Sequence, residues 1–125
     1  MKGIIESSFI DKLVDQTKMG VLIWNVCNEK EKDEYRNMMI ANKYKRYETS
    51  KIVVYEAYYA KTTNKCIYVA HLYVPYVDNK IISIYDKIEK TINIDYTSDS
   101  THDVTPFFFY VKDLVSQELI DHKSP

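Results

Sequence analysis

The sequence predicts an α+β domain: one antiparallel sheet of about five strands, with N-terminal, middle and C-terminal helices covering one of its faces. Three observations carry that expectation. Residues 51–96 hold four successive runs rich in β-branched and aromatic residues, separated by short polar breaks. Apolar residues recur at helical spacing towards both ends of the chain. At 125 residues, 46% hydrophobic and 28% charged, the chain has material for one core, so residues 1–125 read as a single domain.

The first element is a short helix. Ser7 or Ser8 is placed to cap it, with Asp11 three residues past Ser8 as in a capping box. Phe9, Ile10, Leu13, Val14 and Thr17 follow at helical spacing, and Gly20 stands where a left-handed C-terminal cap belongs. The run "VLIWNV", residues 21–26, reads as a strand. Asn28 and Glu31 then form a capping pair for a helix over about 29–42. Glu29, Glu31, Asp33 and Glu34 crowd its start and Lys43, Lys45 and Arg46 its end, which complements the helix dipole. Its apolar side is Tyr35, Met38, Met39 and Ile40.

From residue 51 the period changes to two. "KIVVYEAYYA" and "KCIYVAHLYV" flank "KTTN", where Asn64 is expected to take the positive φ that glycine would otherwise supply. "PYVDNK" breaks the pattern, with Asp78-Asn79 as its turn, and "IISIYDKI" and "TINIDY" complete a four-stranded meander. After the polar "TSDSTHD", Thr105-Pro106 is a helix-start signal followed by Phe107, Phe108, Val111, Leu114, Val115 and Leu119 at helical spacing. The aromatic cluster equally permits a strand over 106–111 before a shorter helix.

Composition excludes several function classes. A net charge of −1 gives no field to draw the chain onto nucleic acid or an anionic membrane. Glycine occurs only at Gly3 and Gly20, which removes glycine-rich phosphate loops. No apolar run approaches membrane-spanning length, and the start meets an acidic residue too early for a secretion signal. Cys27 and Cys66 lie in apolar runs as small hydrophobes, so the expected setting is the cytoplasm with reduced thiols. Of 17 basic residues only Arg36 and Arg46 are arginine, which together with abundant Ile, Asn and Tyr suggests an AT-rich genome.

The tyrosines raise the functional question. Strand parity groups Ile52, Val54, Glu56, Tyr58 and Ala60 on one face of the first long strand, and Val53, Tyr55, Ala57 and Tyr59 on the other. In its partner, Cys66, Tyr68, Ala70, Leu72 and Val74 oppose Ile67, Val69, His71 and Tyr73. Neither face is polar. If helices cover one, the other carries rings that either pair across strands or form an interface built on Tyr55, Tyr59 and Tyr73. The expected partner is a protein or a second copy of the chain. The rival is a small-ligand or nucleotide pocket lined by rings, with Lys43, Lys45, Arg46 or His71 meeting an anion.

No cofactor, metal or catalytic set is expected. "DYTSDSTHD", with Asp95, Asp99, His102 and Asp103, matches no calcium loop and reads as a solvated turn. Among the histidines only His71 sits within a strand. Placed in a solvent-reaching cleft beside Glu56 or Asp95 it would speak for acid–base chemistry; packed among rings it would speak against.

The opening "FIDKLVDQTKMGVLIW", residues 9–24, resembles a pattern in small accessory proteins of low-GC bacteria and their phages, where an amphipathic helix ending in Thr-Lys-x-Gly leads into a strand bearing Trp. The resemblance implies an accessory role of the kind carried by mobile elements, including the blocking of host defence, and brings no catalytic residues with it.

Overall fold

Gly20, with φ at +78°, closes the first helix in the left-handed conformation expected of it. In a computed structural model describing residues 2–44, 49–75, 77–97 and 104–123, that helix is α1, Lys2–Lys18. It is longer than the sequence suggested, so Ser7 and Ser8 lie within it and do not cap it. Its last turn is fastened by Thr17, whose hydroxyl donates to the Leu13 carbonyl at 2.7 Å and accepts from the Trp24 indole at 2.9 Å. Only Asn25–Val26 of the run that follows is laddered into the sheet, as the short edge strand β1.

Asn28 then caps α2, Glu29–Met39, with the reciprocal Asn28–Glu31 box that the spacing predicted. The helix ends at residue 39 and passes into a π-turn, Ile40–Tyr44. After a 3₁₀ turn at Thr49–Lys51 come β2 (Val53–Lys61), β3 (Lys65–Val74), β4 (Val77–Asp86) and β5 (Thr91–Thr97). All neighbours are antiparallel, in the order β1-β2-β3-β4-β5, a meander as expected. The chain ends in α3, Val104–Lys123, so the residues around Thr105-Pro106 are helical and the strand alternative is set aside.

Two turns differ from the sequence reading. Asp78 and Asn79 are not a turn: they belong to β4, opposite Tyr73 and Leu72, and the ladder runs on to the pair Val74 and Val77. Pairing ten residues of β3 with ten of β4 outweighs the local turn preference of an Asp-Asn pair. Asn64 keeps a negative φ, because Thr62 closes its hairpin by bonding Lys65 through both side chain and backbone. Among the described residues the non-glycine residue with positive φ is Lys90, in the turn where the Asp86 carboxylate accepts from the Ile88 and Glu89 amides. Those two bonds hold the Asp86 carboxyl below its usual range.

The helices do not share one face. α1 and α3 pack on one side, where Ile10, Leu13, Val104, Phe107, Phe108 and Val111 meet Tyr58, Ala60, Ile67, Val69 and Ile82. α2 and the π-turn pack on the other, where Tyr35, Met39 and Tyr44 meet Val54, Ala57, Ala70, Leu72 and Ile81. Most of the apolar character of both strand faces is therefore spent inside the fold. Tyr35 anchors α2: fully buried, it stacks near Tyr68 at 4.7 Å and its hydroxyl bonds that of Ser83 at 3.0 Å.

Candidate functional site

A β-bulge decides which tyrosines share a surface. Register shifts between Val54 and Glu56, so Val54 pairs with Leu72 and Glu56 with His71, leaving Tyr55 as the extra residue. The shift breaks the simple alternation expected of β2. Val54 faces α2 together with Ala57, whereas Glu56 faces α3 together with Tyr58. Tyr59 pairs with Tyr68 on the α2 side. Tyr55 instead stacks on His71 at 4.8 Å, and Val53 opposite Tyr73 continues that same surface. The expected trio is thus divided: Tyr55 and Tyr73 lie with His71, and Tyr59 lies behind the sheet.

On the α3 side the rings form a chain of contacts. His71 meets the edge of Phe108 at 6.2 Å, Phe108 meets Phe109 at 5.4 Å, and the Lys80 ammonium lies over both rings at 6.0 and 5.6 Å. Glu56, His71 and Lys80 are successive register partners across β2, β3 and β4. Lys112 of α3 closes the row, its Nζ 3.0 Å from each oxygen of Glu56. Tyr55 remains 48% and Phe109 46% exposed, with Val53 exposed beside them and His71 and Tyr73 half-buried. The result is a fixed aromatic surface crossed by a short polar row.

His71 does stand opposite Glu56, the juxtaposition that acid–base chemistry would require. That carboxylate is engaged by Lys112, and the imidazole is packed between Tyr55 and Phe108. Among the described residues no group of three His, Cys, Asp or Glu side chains is placed to hold a metal ion. Nor is any described helix long and apolar enough to cross a membrane.

Elsewhere, two cavities among the described residues bear on ligand binding. One, of about 100 Å³, is lined by Cys27, Glu31, Glu34, Tyr59, Lys61, Cys66 and Tyr68. Burial, then the Glu31 charge, pushes the Cys27 thiol up to about 12, so it stays protonated and unreactive at neutral pH. Burial likewise raises Cys66, Tyr59 and Tyr68. Tyr59 and Tyr68 supply rings to its wall, but among its described lining residues neither Lys43 nor His71 appears, and its charges are two carboxylates and Lys61. Ligand clefts typically span roughly 300–1,000 Å³, well above its size. The other, an open groove of about 320 Å³ between α1 and α3, is lined by Ile10, Asp11, Val14, Lys18, Pro106, Phe107 and Tyr110.

Of the expected basic contacts, Lys43 does not meet the rings on the His71 side. Lys43 is exposed on the π-turn that carries Tyr44 into the α2-side core. Lys45 and Arg46 lie outside the described residues, as do Asp99, His102 and Asp103. Sequence reasoning missed Phe109, Lys80 and Lys112. A charged or aromatic residue between buried positions of a helix was the available signal for Phe109 and Lys112. Set against protein-family models, curated proteins and solved structures, the chain matches none.

Proposed function

We propose that this protein is a cytoplasmic, non-catalytic binding module that engages a protein partner through the surface formed by Val53, Tyr55, His71, Tyr73 and Phe109. The observation that supports this most is the exposure of two rings, Tyr55 and Phe109, at 48% and 46%, while their neighbours His71 and Phe108 fix their positions. Rings held rigid in water lose little entropy on binding, and aromatic residues concentrate at protein interfaces for that reason. The engagement of Glu56 by Lys112 and the raised thiols favour binding over catalysis. An accessory factor of a phage or mobile element fits such a small module.

Affinity capture with wild-type bait beside Tyr55→Ala and Phe109→Ala baits tests the reading. A specific partner retained by wild type and lost from both variants, each with unchanged melting, is the expected result. A partner captured equally by all three removes the assignment. The groove between α1 and α3 favours a second reading, a small ligand held by Phe107 and Tyr110 with Lys18 at the rim. Thermal-shift screening against nucleotides and apolar anions tests it, since saturating ligand at a hundred times Kd stabilises by about 2.7 kcal/mol. No shift across the panel leaves the protein-binding reading alone.

A further inference from the structure

The groove between α1 and α3 has a floor fixed by the core behind it. Phe107 meets the edge of Trp24 at 5.8 Å, and the Trp24 indole is tied in turn to Thr17. Tyr110, half-buried, lies 6.5 Å from Phe107, and Val14 of α1, also half-buried, lines the other wall. Two charged residues line the groove, Asp11 and Lys18, both on α1 and both exposed. Their separation of seven positions is nearly two helical turns, so they stand on one side of α1, about 10 Å apart along its axis. Among the described residues neither makes an ion pair. α3 adds no charge to the lining. The groove is therefore apolar along its floor, negative at one end and positive at the other.

Resting on the reading of this groove as a small-ligand site, we propose that its ligand is an elongated apolar zwitterion, with the ammonium at Asp11 and the carboxylate at Lys18. A free peptide of about three apolar residues has that chemistry. An extended chain spans roughly 3.3–3.6 Å per residue, so three residues set the terminal charges about 10 Å apart, the spacing of Asp11 and Lys18. The volume of about 320 Å³ falls in the roughly 300–1,000 Å³ of ligand clefts, and the open side leaves room for a side chain that points away. A nucleotide fits worse. Lys18 is the one cation among the described lining residues, and the Asp11 carboxylate repels a second negative charge. A fatty acid satisfies Lys18 but lays its uncharged end against Asp11. A zwitterion of the right length uses both charges, and the fixed rings between them take its apolar body.

Titration of the isotope-labelled chain with the peptide Leu-Ala-Leu, followed by backbone amide chemical shifts, tests the proposal. Saturable shifts are expected on α1 around Val14 and on α3 around Tyr110. Acetylating the peptide's N-terminus or amidating its C-terminus removes one charge. Each is expected to weaken binding about two- to fivefold, the range of one exposed ion pair. Lys18→Ala is expected to bind the free and amidated peptides alike, and Asp11→Ala the free and acetylated peptides alike. Both positions are exposed, so both variants are expected to keep the wild-type circular dichroism spectrum. Absence of saturable shifts overturns the proposal, while a thermal shift with an apolar anion would still keep the small-ligand reading. Equal affinity for all three peptides also overturns it, leaving a ligand groove indifferent to charge. Capping effects that persist unchanged in both variants overturn it as well.

Discussion

Removing the hydroxyl of Tyr35 tests how α2 is fastened to the sheet. That hydroxyl lies 3.0 Å from Ser83 Oγ, both residues have no exposed surface, and the Ser83 hydroxyl otherwise reaches only the Met39 sulfur at 3.7 Å among the described contacts. Thioether sulfur is a weak acceptor, so Tyr35→Phe leaves a buried hydroxyl poorly satisfied, at a cost of about 1–3 kcal/mol. Ser83→Ala strands the Tyr35 hydroxyl at a similar cost of about 1–3 kcal/mol. The double variant strands neither group. It is expected to be more stable than the sum of the single losses by about 1–2 kcal/mol, the coupling of one buried pair. Unfolding entropy near 2.1 cal/mol/K per residue gives about 0.26 kcal/mol/K for 125 residues, so each kcal/mol lowers Tm by about 4 °C. Urea denaturation of the four proteins, followed by far-ultraviolet circular dichroism, closes the cycle. Strictly additive losses, or a Tyr35→Phe protein as stable as wild type, would refute the account of α2.

Alkaline pH should weaken the fold in a defined window. Burial raises Cys27 from 9.0 and Tyr58 from 10.0, each to about 12, so their neutral forms are favoured in the folded state. That stabilisation is complete below the unfolded values and is lost as pH climbs from about 9 through about 12. The urea midpoint should fall steadily over that range, and a flat midpoint up to pH 11 would contradict it. Thr17→Val removes the acceptor of the buried Trp24 indole and should cost about 1–3 kcal/mol by the same denaturation. Gly20→Ala meets no atom within 4 Å yet imposes a side chain at φ +78°, so a loss of about 1–2 kcal/mol in Tm-derived stability is expected from backbone strain alone.

Where a local signal and the tertiary requirement agreed, the sequence was legible. Asn28 and Glu31 capped α2 and Gly20 closed α1, because caps are satisfied by neighbours in the chain, whereas Thr105 and Pro106 fall inside the first turn of α3 and do not cap it. The bulge at Tyr55 left no such trace. It replaces no glycine, and its cause is long-range: Val54 must reach the α2 core while Glu56 meets Lys112. That single extra residue separated Tyr55 from Tyr59 and dissolved the expected surface into two. The Asp78-Asn79 turn failed similarly, since local turn preference gave way to a ladder extending to Val74 and Val77. A middle helix with Tyr35, Met38 and Met39 along one side reads the same whichever face of the sheet it covers.

Mild nitration with site-resolved mass spectrometry tests most directly whether α2 encloses one set of tyrosines and leaves Tyr55 exposed on the other side of the sheet. Nitration requires an accessible ring and favours the phenolate. Tyr55 is half exposed, whereas Tyr35 and Tyr58 are buried with hydroxyls raised by that burial, and the Tyr68 hydroxyl behind the sheet is raised likewise. Tyr55 should be modified first in the folded protein, with Tyr35, Tyr58 and Tyr68 reacting only once urea unfolds the chain. Nitration of Tyr35 or Tyr68 at the rate of Tyr55 under native conditions would mean that α2 does not cover the second face, and the division of the tyrosines would be wrong.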